Sequence, residues 1–317
     1  MPIKPKRLQK GNTIGVISPA SPSYYRSDII RGVDSLEKLG YKVLLAKNLS
    51  KKTGFCSGTD QERADDMNEM FRREDVDAVF VTQGGYGSAR ILRYLDYDMI
   101  QHNPKIFTGF SDITSLHLAL HKKTNMITFH GPGMTRFNSE ELTEYTKKSF
   151  IKAITDTSPI GKIEKANEEK WINVICEGEA EGELIGGNLT LICATLGTPY
   201  EIDTEGKILF IEETEVEPWT LDHMFSHLRN AGKLEKAAGI IIGEFNQCGP
   251  RKMDPGFHVD ISEEDVVYDY IKSLKIPAIH GLPIGHTKDI ATLPIGANAY
   301  LNASEGKLVV TECATAL

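Results

Sequence analysis

The stretch at 76–82, VDAVFVT, is the kind of apolar run that a parallel sheet buries on both faces. It does not stand alone. Comparable runs occur at 13–17 (TIGVI), 41–46 (YKVLLA), 106–107 and 126–130. Between them lie segments with helical spacing. Residues 28–39 place Ile29, Ile30, Val33, Leu36 and Leu39 on one face and stop at Gly40. Residues 59–73 open on a cap-like Thr59 or Asp60 and repeat through Ala64, Met67 and Phe71, and a further helix is expected from Ser88. Strand alternating with helix in this way predicts an α/β fold with a doubly wound parallel sheet in the N-terminal half.

The pattern changes after about Asn138. Residues 139–156 read as a polar helix, and 157–183 as a loop-rich stretch with one strand at 171–175. Beyond it, the spacing predicts helices after Gly186-Gly187-Asn188, over 220–231 and over 263–274, and strands at 207–211, 239–243, near Ala278, at 297–301 and at 307–311. The expected organisation is an N-terminal α/β unit over 1–156, a linker region over 157–183 and a smaller mixed α/β unit over 184–317.

Composition narrows the function classes. Lys and Arg number 36 against 44 Asp and Glu, a net charge of -8 with no long basic run, which argues against nucleic acid as partner. No stretch approaches the roughly 20 apolar residues of a membrane span. The basic N-terminus has too short an apolar part, broken by Gly15 and Pro19, for a signal peptide. The five cysteines are odd in number and form no CxxC, which fits reduced thiols in a cytoplasmic protein. His223 and His227 have the spacing of metal ligands, but Met224 follows where HExxH needs Glu, so no metal is expected.

Four features carry possible chemistry. At 105–123 a short strand turns through Thr108-Gly109-Phe110-Ser111-Asp112 into a helix. Ser111 at that corner reads either as a helix cap or as a nucleophile held above the sheet edge, and from this stretch alone the cap is favoured. Gln83-Gly84-Gly85-Tyr86-Gly87 ends a strand with a glycine loop. It lacks both GxGxxG and GxxxxGK, and its glycines serve either turn geometry or the approach of backbone amides to an anion. The strand at 208–211 runs into Glu212-Glu213, and His286 lies on the Gly-rich segment 281–287. Ser, acid and His in that order constitute one of the known arrangements of nucleophile, orienter and base.

These residues fall within motifs resembling those of the LD-carboxypeptidases, serine peptidases that also include the microcin C self-immunity proteins. The motifs are GNTIGVISPASP (11–22), SGTDQERADD (57–66), TQGGYGSARIL (82–92), GFSDIT (109–114), TFHGP (128–132), GGNLTLICATLGTPY (186–200), ILFIEETEVEP (208–218) and LPIGHT (282–287). The resemblance implies Ser111 as nucleophile, Glu212 as acid with Glu213 the neighbouring alternative, and His286 as base. It implies an oxyanion hole of backbone amides from Gly85 and Asp112. Tyr86, Arg90 and Asn188 are substrate-binding candidates; Arg90 is chosen on charge, for the free carboxylate of an exopeptidase substrate. A flavodoxin-like or amidotransferase-like N-terminal sheet, no cofactor and a homodimer are further expectations. The expected reaction is release of terminal D-Ala from a murein tetrapeptide across an L,D bond. An aminoacyl-nucleotide substrate and a non-enzymatic ligand binder are the alternatives. The ordinary esterase elbow is disfavoured, because Asp112 and Ile113 stand where GxSxG continues.

Overall fold

The computed structural model describes residues 1–137, 142–253, 256–257 and 261–317. The first half runs β1 (Thr13–Ile17), α1 (Arg26–Lys38), β2 (Lys42–Leu45), α2 (Asp60–Arg72), β3 (Ala78–Val81), α3 (Tyr97–His102), β4 (Ile106–Gly109), α4 (Thr114–Thr124) and β5 (Thr128–His130). Its five strands are parallel in the order β2-β1-β3-β4-β5, the flavodoxin-like doubly wound order. In that order the chain reverses direction between β1 and β3, which opens a crevice at their carboxyl ends. The glycine loop at 83–87 leaves β3 at this crevice, beside the loop at 18–22 that follows β1.

The helices start where the sequence marks them. Thr59 caps α2 by accepting the Glu62 amide, and the Glu62 carboxylate returns to the Thr59 amide at 3.0 Å. The helix expected from Ser88 is a 3-10 helix, running to Tyr94. Asp96 then caps α3, leaving few residues between for an α-helical run.

The second half comprises α5 (Glu144–Thr155), β6 (Gly161–Lys162), β7 (Asn173–Cys176), β8 (Glu179–Asn188), α6 (Leu189–Thr195), β9 (Ile208–Thr214), α7 (Pro218–Asn230), β10 (Gly239–Asn246), α8 (Glu263–Lys272), β11 (Ala278–Leu282), β12 (Leu293–Ile295), β13 (Asn298–Asn302) and β14 (Lys307–Val310). The polar helix expected from 139 begins, among the described residues, at Glu144 behind its Thr143 cap; 139–141 lie outside them. The mixed second sheet has the order β6-β14-β13-β8-β9-β10-β11-β7, with β8 to β11 parallel at its centre. The stretch read as linker thus contributes β6 and β7 to the outer edges of this sheet. β12 instead joins the first sheet, antiparallel to β5 with Pro294 opposite Phe129. A proline in a strand fits only an edge, and β12 occupies one.

The two sheets meet at the serine corner. Thr114, three residues beyond Ser111, accepts the Asn188 amide at 3.0 Å. Gly187 lies so close that a Cβ there would be 2.5 Å from the Thr114 hydroxyl oxygen.

Candidate active site

Ser111 follows β4 and Phe110 at φ 66°, inside the left-handed region, where a side chain is strained by about 1–3 kcal/mol. A helix cap uses an extended backbone and turns its oxygen back onto its own helix. Ser111 does neither: its hydroxyl lies 2.9 Å from His286 Nε2. His286 Nδ1 in turn lies 2.7 Å from Glu212 Oε2. With the carboxylate accepting from Nδ1–H, Nε2 is left unprotonated and accepts from the serine hydroxyl. Residues separated by up to 175 positions thus form one chain of hydrogen bonds.

Each partner is held by its element. Glu212 ends the apolar run of β9 and is fully buried; its second oxygen, Oε1, has no protein partner among the described residues. Gly285, at φ 86°, lets the histidine loop pass over that carboxylate. The Phe110 ring packs edge-on against the His286 imidazole with centroids 5.0 Å apart.

Glu213 points to the other face of β9, as strand alternation requires. It accepts from Asn188 Nδ2 at 2.8 Å, from the Thr190 amide and hydroxyl at 2.7 Å and from the Thr214 amide at 2.9 Å. Burial pushes its carboxyl above the usual range against these bonds. The glutamate that reaches His286 is Glu212.

The glycine loop abuts the serine. A Cβ on Gly84 would lie 2.8 Å from Ser111 Cβ. The Asp112 side chain ties this loop to the corner, accepting the Ser88 amide at 2.8 Å and the Gly87 amide at 3.3 Å. Burial raises its pKa, opposed by those bonds and by nearby Arg63. Among the described residues no protein acceptor is found for the amides of Gly85 and Asp112.

The remaining expected residues are placed differently from one another. Tyr86 is exposed and meets Phe55 edge-on, with ring centroids 6.0 Å apart. Arg90 is about half exposed and paired with Asp60 at 2.9 Å. Asn188 is buried, one N–H of its side-chain amide donating to Glu213 and its oxygen accepting from the Leu191 amide, so it acts as the cap of α6.

Sequence reasoning missed Arg63, a fully buried guanidinium that donates to the carbonyls of Gly87 (2.8 Å) and Pro19 and pairs with Asp60 at 2.6 Å. Its only trace in the sequence is its place in the SGTDQERADD motif. It also missed His130, which lies at the end of β5 with neither ring nitrogen partnered among the described residues, 5.2 Å from the Phe210 ring between centroids; burial holds its pKa well below the ordinary value. Arg136, whose guanidinium stands 5.9 Å from the Phe110 ring centroid, went unnoticed as well.

Comparison with known proteins converges on one family. The profile of the LD-carboxypeptidase N-terminal domain matches residues 14–131, and that of the LD-carboxypeptidase C-terminal domain matches 181–301. The chain is 42% identical over 308 residues to a probable murein peptide carboxypeptidase of Bacillus subtilis, covering 97% of this chain and 94% of that protein. It is similar to a solved structure of muramoyltetrapeptide carboxypeptidase from Oxalobacter formigenes, with a TM-score of 0.80 and 30% identity over 94% of this chain and 97% of that one. It is also similar to the microcin C7 self immunity protein in its wild-type apo state, with a TM-score of 0.89 and 28% identity over 99% of this chain and 100% of that one.

Proposed function

The chain belongs to the LD-carboxypeptidase family, and on that premise we propose that it is a serine carboxypeptidase of murein peptides, releasing the terminal D-Ala of a tetrapeptide by hydrolysis of an L,D bond. The observation that carries the reading is the run of hydrogen bonds from Ser111 through His286 to Glu212.

In this mechanism His286 Nε2 takes the Ser111 proton while Oγ attacks the carbonyl carbon of the residue before D-Ala. Glu212 orients the ring and stabilises its charged form. The tetrahedral oxygen accepts from the amides of Gly85 and Asp112, donors of a kind each worth about 10²–10³ in turnover. Collapse passes the proton from His286 to the leaving amine of D-Ala and leaves an acyl ester on Ser111. A water then attacks that ester, giving its proton to His286, and the ring returns it to Ser111 as the acid product leaves.

Arg90 is proposed to take up the substrate carboxylate, with Tyr86 as a wall beside it; Arg90→Gln then raises KM more than it lowers kcat. The same proposal covers a nucleophile-bearing N-terminal unit over 1–156, a connecting region over 157–183, and a C-terminal unit over 184–317 that supplies acid and base. It extends to a homodimer working in the cytoplasm in cell-wall recycling. Among the described residues no helix is long and apolar enough to cross a membrane.

The likeness to the self-immunity protein favours one second reading, an aminoacyl-nucleotide substrate on the same three residues. Incubation with murein tetrapeptide and, separately, with an acyl-sulfamoyl adenosine, read by product mass, decides between them. D-Ala from the tetrapeptide supports the first reading; cleavage of the nucleotide conjugate alone overturns it.

A further inference from the structure

The amide assigned to the oxyanion belongs to the Gly84–Gly85 peptide, and both peptides flanking Gly85 are held by one residue, Ser21, on the neighbouring loop. The Ser21 amide donates to the Gly84 carbonyl at 3.3 Å. In a trans peptide the C=O and N–H point in opposite directions, so this bond turns the Gly85 N–H away from the Ser21 amide. The next peptide is fixed by the side chain: the Tyr86 amide donates to Ser21 Oγ at 3.0 Å. The Ser21 hydroxyl proton is itself committed to the Phe55 carbonyl at 2.9 Å, which leaves a lone pair for Tyr86. Gly85 is pinned between these two contacts at φ 106°, and a Cβ on it would lie 2.5 Å from Ser21 Oγ. The Gly84 Cα is pressed against Ser111, a Cβ there falling 3.1 Å from the nucleophile oxygen.

We propose that Ser21 is a positioning residue of the oxyanion hole, its amide and hydroxyl together setting the direction of the Gly85 N–H toward the carbonyl attacked by Ser111. The inference rests on the reading of Gly85 as an oxyanion donor. Ser21 touches no reacting atom in this scheme. Its hydroxyl acts on a group whose value appears only in the transition state, so the effect falls on kcat and not on ground-state binding.

The test uses Ser21→Ala in the full chain. The expected result is a fall in kcat of about 10–100-fold, at or below the loss of a whole donor, with KM within about threefold. Affinity for a tetrapeptide boronic acid, whose adduct carries the tetrahedral oxygen, falls by a similar factor. Affinity for intact tetrapeptide on a Ser111→Ala background is unchanged by adding Ser21→Ala. A merely structural role would lower thermal stability and weaken both ligands together, and that outcome overturns the proposal, as does unchanged kcat. If Ser21→Ala does not accumulate as folded protein, Ser21→Cys, which keeps a weaker acceptor, is read by the same ratio of boronate to substrate affinity. A crystal structure of the wild-type boronate adduct separates the two levels of the argument. An adduct oxygen within about 3 Å of the Gly85 nitrogen upholds the underlying reading even where Ser21→Ala is silent, and an oxygen placed elsewhere removes that reading and this inference together.

Discussion

Replacing Gly285 by alanine breaks the hydrogen-bonded run without altering any of its three members. An alanine Cβ there would fall 2.1 Å from Glu212 Oε2 and 2.4 Å from its Cδ. Ordinary contact begins at 3.4 Å, so the carboxylate or the histidine loop must shift by roughly 1.3 Å. Glu212 is fully buried on a central strand, so its side chain has little room to withdraw. The same shift opens the 2.7 Å bond to His286 Nδ1. Misplacement of a reacting group by about 1 Å costs about 10²-fold, and loss of the orienting acid about 10⁴-fold, which brackets the expected fall in kcat. The φ of 86° adds about 1–2 kcal/mol of instability for a side chain in the left-handed region, small enough to leave the protein folded. The assay is D-Ala release from murein tetrapeptide, followed by mass or chromatography, with a thermal melt on the same sample. Because both changes act on one interaction, Gly285→Ala combined with Glu212→Gln should be little slower than Glu212→Gln alone. A folded Gly285→Ala protein with kcat within fivefold of wild type would refute the reasoning.

Glu213→Gln should keep kcat within about threefold, since Glu213 faces α6 and not His286, but lose about 1–3 kcal/mol of stability in urea melts through its buried bonds to Asn188, Thr190 and Thr214; a hundredfold loss of kcat in a folded variant would move the acid to Glu213. Stability should also fall with acid: His117, fully buried between the Gly109 carbonyl and the Thr128 hydroxyl, is pushed by desolvation from 6.5 to about 4. A depressed pKa gives stability that is complete above 6.5 and lost as pH drops toward 4, about 3 kcal/mol for this shift, and His130 acts in the same direction. Urea midpoints measured from pH 7.5 to 4 should show this slope flattened in His117→Gln, and an unchanged slope would place the acid sensitivity elsewhere.

The parallel sheet was legible because strands such as β3 are apolar along their whole length and its helices carry local start signals such as Thr59 and Glu62. β12 was not, because Pro294 removes the strand signal from a segment that pairs only as an edge. The first residues of β8 were hidden too, since Glu alternates there with Ala and Gly where strands favour branched side chains. Ser111, Glu212 and His286 could each be picked out, but nothing local to them says that they meet. Their bonds span 74 and 175 positions and depend on how the two sheets dock. The left-handed backbone of Ser111 is equally invisible in GFSDIT, although it accompanies the turn of the hydroxyl away from a cap position and toward His286. Asn188 depends on the fold in the same way: its residue type and motif do not foretell the bond from its side-chain amide to Glu213 on the adjacent strand.

Turnover and substrate affinity of Ser111→Ala, measured on the same tetrapeptide preparation as the wild type, bear most directly on the central claim that Ser111 is the nucleophile of an LD-carboxypeptidase. The account predicts that D-Ala release falls by at least about 10⁴-fold while the Kd for tetrapeptide stays within about threefold. Turnover within tenfold of wild type in the folded variant would contradict it.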